Sequence, residues 1–163
     1  MRVDVPVRRW LAAVLMAMGA TYASAQAPAA PGETEEAPKV DEARVIAQRA
    51  ALPMLGGDRP FILRESSWSG EIAPGTAKLI QLQLFKRNDY HFWLAVPDRR
   101  AETGLGLYNA KGEAVSSELR RHDGGNVVSL SASPEETGIY YLRISMGTAT
   151  EEPQRWVVIY AYR

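Results

Sequence analysis

The segment "ETGIYYLRIS", Glu136 to Ser145, alternates its apolar and polar positions. Successive side chains of an extended strand point to opposite faces of a sheet. Tyr140, Leu142 and Ile144 therefore share one face, and Ile139, Tyr141 and Arg143 the other. The first set reads as inward and the second as an outer rim. Glu136-Thr137-Gly138 reads as the turn that launches the strand, with Gly138 available for a backbone conformation that other residues resist. A buried Tyr140 needs a partner for its hydroxyl, and the expected one is a backbone group near that turn.

The same period of two runs through the chain from Phe61 onward, broken by turn residues at short intervals. "FILRESSW" is strand-like, "APGT" a turn, and "AKLIQLQLF" sets Ile80, Leu82 and Leu84 against Gln81 and Gln83. "YHFWLAV" puts Tyr90, Phe92, Leu94 and Val96 on one face, leaving His91, Trp93 and Ala95 on the other. "LGLYN" reads as a short strand, and "NAKGE" as a hairpin-type turn with Gly112 available for positive φ. "AVSSELRR" is polar and charged, as suits a sheet edge. "VVSLSAS" and "RWVVIYAYR" complete the set. The pattern predicts an all-β fold, an antiparallel β-sandwich or jelly roll of about eight strands.

The region before Phe61 is organised differently. Arg2, Arg8 and Arg9, the apolar run "WLAAVLMAMGA" and the small residues "ASA" at Ala23–Ala25 read as a bacterial Sec-type signal peptide, residues 1–25, cleaved after Ala25. The apolar run is shorter than the roughly 20 residues of a spanning helix, so no membrane span is expected after cleavage. Residues 26–39 are rich in Pro, Ala and Glu and read as a disordered linker. Residues 40–60 hold one short helix, at 41–51, and a connecting loop. Asp41 is its N-cap, Ala43, Ile46, Ala47 and Ala50 its apolar positions, and Pro53 and Gly56-Gly57 its stop. The β-sandwich domain spans 61–163.

Composition narrows the chemistry. There is no cysteine, which excludes disulfides, thiolate nucleophiles and cysteine-based metal sites. Lys plus Arg equals Asp plus Glu at 19 each, and removal of the signal peptide leaves a slight acidic excess. A nucleic-acid partner is not indicated by that balance. The two histidines, His91 and His122, lack the sequence context of a catalytic triad. They read as a half-exposed strand residue and a solvated turn residue. Glu65, Glu71, Glu102 and Asp123 are conceivable carboxylates but show no paired pattern, so no catalytic and no cofactor-binding residue is assigned. Calcium is the metal that the residue types suit best, through loop oxygens of Asp98, Glu102, Asp123 and Asn126, although no calcium-loop motif supports it.

Residues 66–163 resemble the bacterial pre-peptidase C-terminal (PPC-like) domain, a small β-sandwich attached to exported proteases. The resemblance lies in "SGEIAPG", "NDYHFWLAV", "LGLYNAKGEAV", "SPEETGIYYLRIS" and "WVVIYAY", in that order. Many members precede the third strand with paired aspartates, where "RAETGLGLY" offers only Glu102. The resemblance implies a stand-alone exported form of the domain, and it is a pattern of β-sandwich positions rather than a catalytic signature.

Taken together, the residues point to an exported, non-catalytic accessory or binding module of the periplasm or extracellular space, with a protein or a glycan as partner. A structural or folding-accessory envelope protein without a small ligand is the alternative, and a hydrolase a third reading. Outward-facing His91, Trp93, Tyr141 and Arg143 form the expected surface contact.

Overall fold

The computed structural model describes residues 41–122 and 124–163. The expected signal peptide and linker lie outside the described residues. Helix α1 spans Glu42–Ala51, and the Asp41 carboxylate accepts the backbone N–H of Arg44 at its N-terminus. Ala43, Ala47 and Ala51 recur every four residues and are fully buried, so they form one stripe along the helix. Pro53 falls in a short 3-10 turn, Leu52–Met54, which carries the chain away from the helix. No helix among the described residues is long and apolar enough to cross a membrane.

Nine strands follow: β1 Ile62–Leu63, β2 Trp68–Ile72, β3 Ala77–Leu84, β4 Tyr90–Ala95, β5 Thr103–Asn109, β6 Ser117–His122, β7 Val127–Ala132, β8 Gly138–Met146 and β9 Gln154–Tyr162. They form two antiparallel sheets. The larger has six strands in the order β1-β9-β4-β7-β6, with β2 also pairing β9; the smaller has three, in the order β3-β8-β5. The all-β sandwich expected from the alternation is therefore present. There is one strand more than expected because "FILRESSW" breaks at Arg64–Ser67. Its two halves pair separately with β9, Ile62 opposite Tyr162 and Trp68 opposite Val158.

The main core lies between the sheets. Ile80, Leu82 and Leu84 of β3, Tyr140, Leu142 and Ile144 of β8, and Leu105 and Leu107 of β5 meet Phe92, Leu94, Val128, Leu130 and Val158 of the larger sheet. The alternation of β8 has the expected register. Tyr140 is buried, and its hydroxyl donates to the Glu136 carbonyl at 2.8 Å. Gly138 departs from expectation. It begins β8 without a positive φ, and a Cβ there would meet nothing within 4 Å. The turn at Asn109–Glu113 is the expected one. Gly112 takes φ 80°, and the Asn109 carboxamide oxygen accepts the N–H groups of Lys111 and Glu113. β6 ends the larger sheet, with Ser117 to Arg121 all exposed.

A second, smaller core lies on the opposite face of the larger sheet. Ala43, Ala47, Ala51 and Phe61 pack there on Trp93, Ala95, Val127, Val157, Ile159 and Ala161. This corrects the reading of "YHFWLAV". Every residue of β4 is buried, Trp93 completely and His91 to 5% exposure, because α1 and Phe61 cover the face that alternation alone assigns to solvent. The His91 imidazole stacks on Trp93 at 4.3 Å, meets Phe61 edge-on at 5.9 Å and shares a hydrogen bond with Ser131 Oγ at 3.1 Å. Arg163 closes the same end. Its backbone exchanges two hydrogen bonds with Asp89, and its guanidinium sits over the Phe61 ring at 4.5 Å.

Two predictions follow from this second core. Ala47→Leu inserts bulk where the helix backbone approaches the sheet, so we expect a loss of about 1–3 kcal/mol in urea unfolding. Arg49→Leu, on the exposed side of the same helix, should change stability by less than about 0.5 kcal/mol. The second prediction concerns pH. Burial, helped by the neighbouring His122 and Arg120 charges and opposed by Glu118, lowers the His91 pKa from 6.5 to about 4. The unfolded chain therefore binds the proton more readily than the folded one. The stability is fully present above pH 6.5 and is lost as pH falls toward 4, by about 3 kcal/mol in all. His91→Phe should flatten that part of the stability–pH curve; an unchanged slope would show that another group titrates.

Candidate functional site: the open face of the three-stranded sheet

The two outer faces of the sandwich differ. That of the larger sheet is covered by α1 over β9 and β4, while no element among the described residues packs on the outer face of β3-β8-β5. The four residues expected to form one contact surface are accordingly split. His91 and Trp93 lie on β4 under the helix, whereas Tyr141 and Arg143 lie on β8 in the other sheet. Trp93 and Arg143 therefore lie in different sheets. Tyr141 is half-buried and Arg143 exposed, as the alternation predicts.

Strand register builds the rest of the face around those two. Tyr108 of β5 and Gln81 of β3 lie directly opposite Tyr141, one on each side, and Gly106 and Leu79 flank Arg143 in the same way. The glycines shape this surface. A Cβ on Gly106 would come within 3.2 Å of the Tyr108 ring, so that ring lies back over the space a side chain would fill. A Cβ on Gly104 would meet Ser145 Oγ at 2.7 Å, so this end of the face stays low. Among the described residues the Arg143 guanidinium has neither an ion-pair nor a hydrogen-bond partner. The result is a flat surface on which two adjacent tyrosines lie beside an arginine and a carboxamide. Aromatic faces stack on apolar ring faces, and the polar groups around them direct hydrogen bonds.

"TGLGLY" holds the part of this face that was not singled out from sequence. Its period of two puts Gly104, Gly106 and Tyr108 on one side of β5. Only the β5–β8 register shows that this side meets Tyr141 and Arg143.

The remaining sequence expectations lie elsewhere. His122 is the last residue of β6, not a solvated turn residue. It is half-buried and shares a 2.9 Å hydrogen bond with Ser129 Oγ. Ser129 is only 1% exposed, so the pair has a serine that a substrate cannot reach. Among the loop oxygens considered for calcium, Asp98 is taken up by Arg100, through the backbone N–H at 2.9 Å and a two-pronged guanidinium contact. That contact holds the Asp98 carboxyl below the ordinary carboxylate range. Asn126 is buried and donates to the Val96 carbonyl at 2.9 Å. Asp123 lies outside the described residues. No group of three potential metal-ligating side chains gathers among the described residues.

Two concave regions border the sandwich. One, of about 600 Å³, runs between α1 and the ends of β4 and β6, past Val45, Arg49, Arg99 and His122. The other, of about 420 Å³, lies between the β5–β6 and β7–β8 connections. The first is bordered by Glu42 and His122, and the second by Lys111, Glu113, Glu135 and Glu136.

Comparison with known proteins adds little. No protein-family model matches the chain, and no curated protein matches it. Among solved structures, the chain is similar to the Bacillus licheniformis lipase BlEst2 in propeptide form, with a TM-score of 0.41 and 13% sequence identity. That similarity covers 59% of this chain and 21% of the lipase chain, and it carries no argument about what this protein does.

Proposed function

We propose that the protein is an exported, non-catalytic accessory module of PPC-like type that binds a glycan across the outer face of its three-stranded sheet. The observation that carries the reading is the juxtaposition of Tyr108 and Tyr141 with Arg143 and Gln81 on a face that no element among the described residues covers. Two adjacent rings suit the apolar faces of successive sugars. The arginine and the carboxamide supply donors and an acceptor for hydroxyl groups. Buried functional pairs support the non-catalytic part of the reading. The histidines are tied to serines beneath or beside the helix, and neither lies on this face. Calcium has no role in this reading. Export rests on the signal-like start of the sequence.

The test is titration of soluble glycan-strand and β-glucan oligosaccharides into the wild-type protein and into Tyr141→Ala, Tyr108→Ala and Arg143→Ala. We expect a loss of about tenfold or more in affinity, ~1.4 kcal/mol, for each tyrosine variant with the unfolding midpoint little changed. Absence of any glycan signal, or binding that survives both tyrosine substitutions, would sink the reading.

A further inference from the structure

Strand β3 is the edge of the three-stranded sheet. Among the described residues it is paired by β8 alone, so the N–H and C=O groups along its other side have no described strand beside them. Sandwich proteins commonly blunt such edges with charge, proline, short strands or cover. Three other edges follow that practice. β6 carries Glu118, Arg120 and Arg121, and β1 is two residues long. β5 is met on its outer side by the bridge from Tyr108 to Ala114 and by the Val115 N–H bonding to the Leu107 carbonyl. β3 is less protected. It runs for eight residues without proline, and Lys78 is its only charge.

The outward row of this edge has a further property. It reads Leu79, Gln81, Gln83 and, one step past the strand, Phe85. Leu79 is 64% exposed and Phe85 49%. Apolar, polar, polar, apolar is the same sequence in both directions about Leu82. If a second copy lies antiparallel about a two-fold axis at Leu82, each Leu79 faces Phe85 of the other copy. Each Gln81 then faces Gln83, amide to amide. This is the self-complementarity that a two-fold interface demands. β3 itself ends at Leu84, and the backbone N–H of Lys86 is already bonded to Thr137 Oγ1.

We propose that two copies of this chain pair through β3, joining their three-stranded sheets into one continuous sheet of six. Tyr108, Tyr141 and Arg143 lie on β5 and β8, away from that edge, and only Gln81 of the proposed glycan face is shared with it, so dimerisation does not depend on the tyrosines. A dimer would present two such faces side by side.

The chain has no cysteine, which makes the register directly testable. Directly opposite residues in an antiparallel pair have Cα atoms about 4.5–5.5 Å apart, within disulfide reach. Chains carrying Gln81→Cys mixed with chains carrying Gln83→Cys should crosslink under mild oxidation, far more than either variant alone. In sedimentation the wild-type chain should be a dimer. Leu79→Lys and Phe85→Lys, both on exposed positions, should be folded monomers with an unchanged circular dichroism spectrum. A wild-type chain that stays monomeric into the millimolar range would overturn the proposal. So would a dimer indifferent to both lysine substitutions, or equal crosslinking of the single variants and the mixture.

Discussion

The close approach of α1 to β4 and β9 decides which surfaces this protein shows to its surroundings. It is possible because Ala43, Ala47 and Ala51 present no bulk, so the helix backbone comes close to the sheet and Trp93 fills the space between. With larger residues in the stripe the helix would stand off and leave Trp93 and His91 wet. With the helix in place, the larger sheet is buried on both sides over its central strands, which explains why β4 reads as a nearly continuous apolar run. The smaller sheet is then the one whose outer face no element among the described residues covers.

Burial on both faces also accounts for the polar groups inside. His91 is kept neutral by its surroundings and shares its ring nitrogen with Ser131, while Ser129 and His122 form the neighbouring pair. The side chains of Thr103 and Asn126 donate to the carbonyls of Gly125 and Val96, tying the β4–β5 and β6–β7 connections together. These hydrogen bonds belong to the architecture. They tie each histidine to a serine of β7.

Much of the fold was legible in the sequence because alternation is a local property. The inward set Tyr140, Leu142 and Ile144, the hydroxyl of Tyr140 bonded back to the turn, the Asn109–Glu113 turn and the polar edge strand β6 all follow from residues within a few positions of one another. The candidate face was half legible. Tyr141 and Arg143 are outward on β8 by alternation alone, but Tyr108, Gln81 and Gly106 join them through strand pairing, which no short stretch records. His91 and Trp93 were misplaced for the same reason. Alternation separates two faces of a strand without saying that a helix more than thirty residues earlier covers the second one.

The sequence by itself determined the strands, their inward sets and the turns between them, because a period of two and a few turn residues act over neighbouring positions. It also determined the helix, through the Asp41 cap and an apolar spacing that included Ala43 and Ala47, whereas Ala51 joins the buried stripe only in the structure. Only the tertiary structure decided what that stripe covers and which sheet face stays bare. Both depend on which strands become neighbours, and that is settled by long-range burial competing across the whole chain.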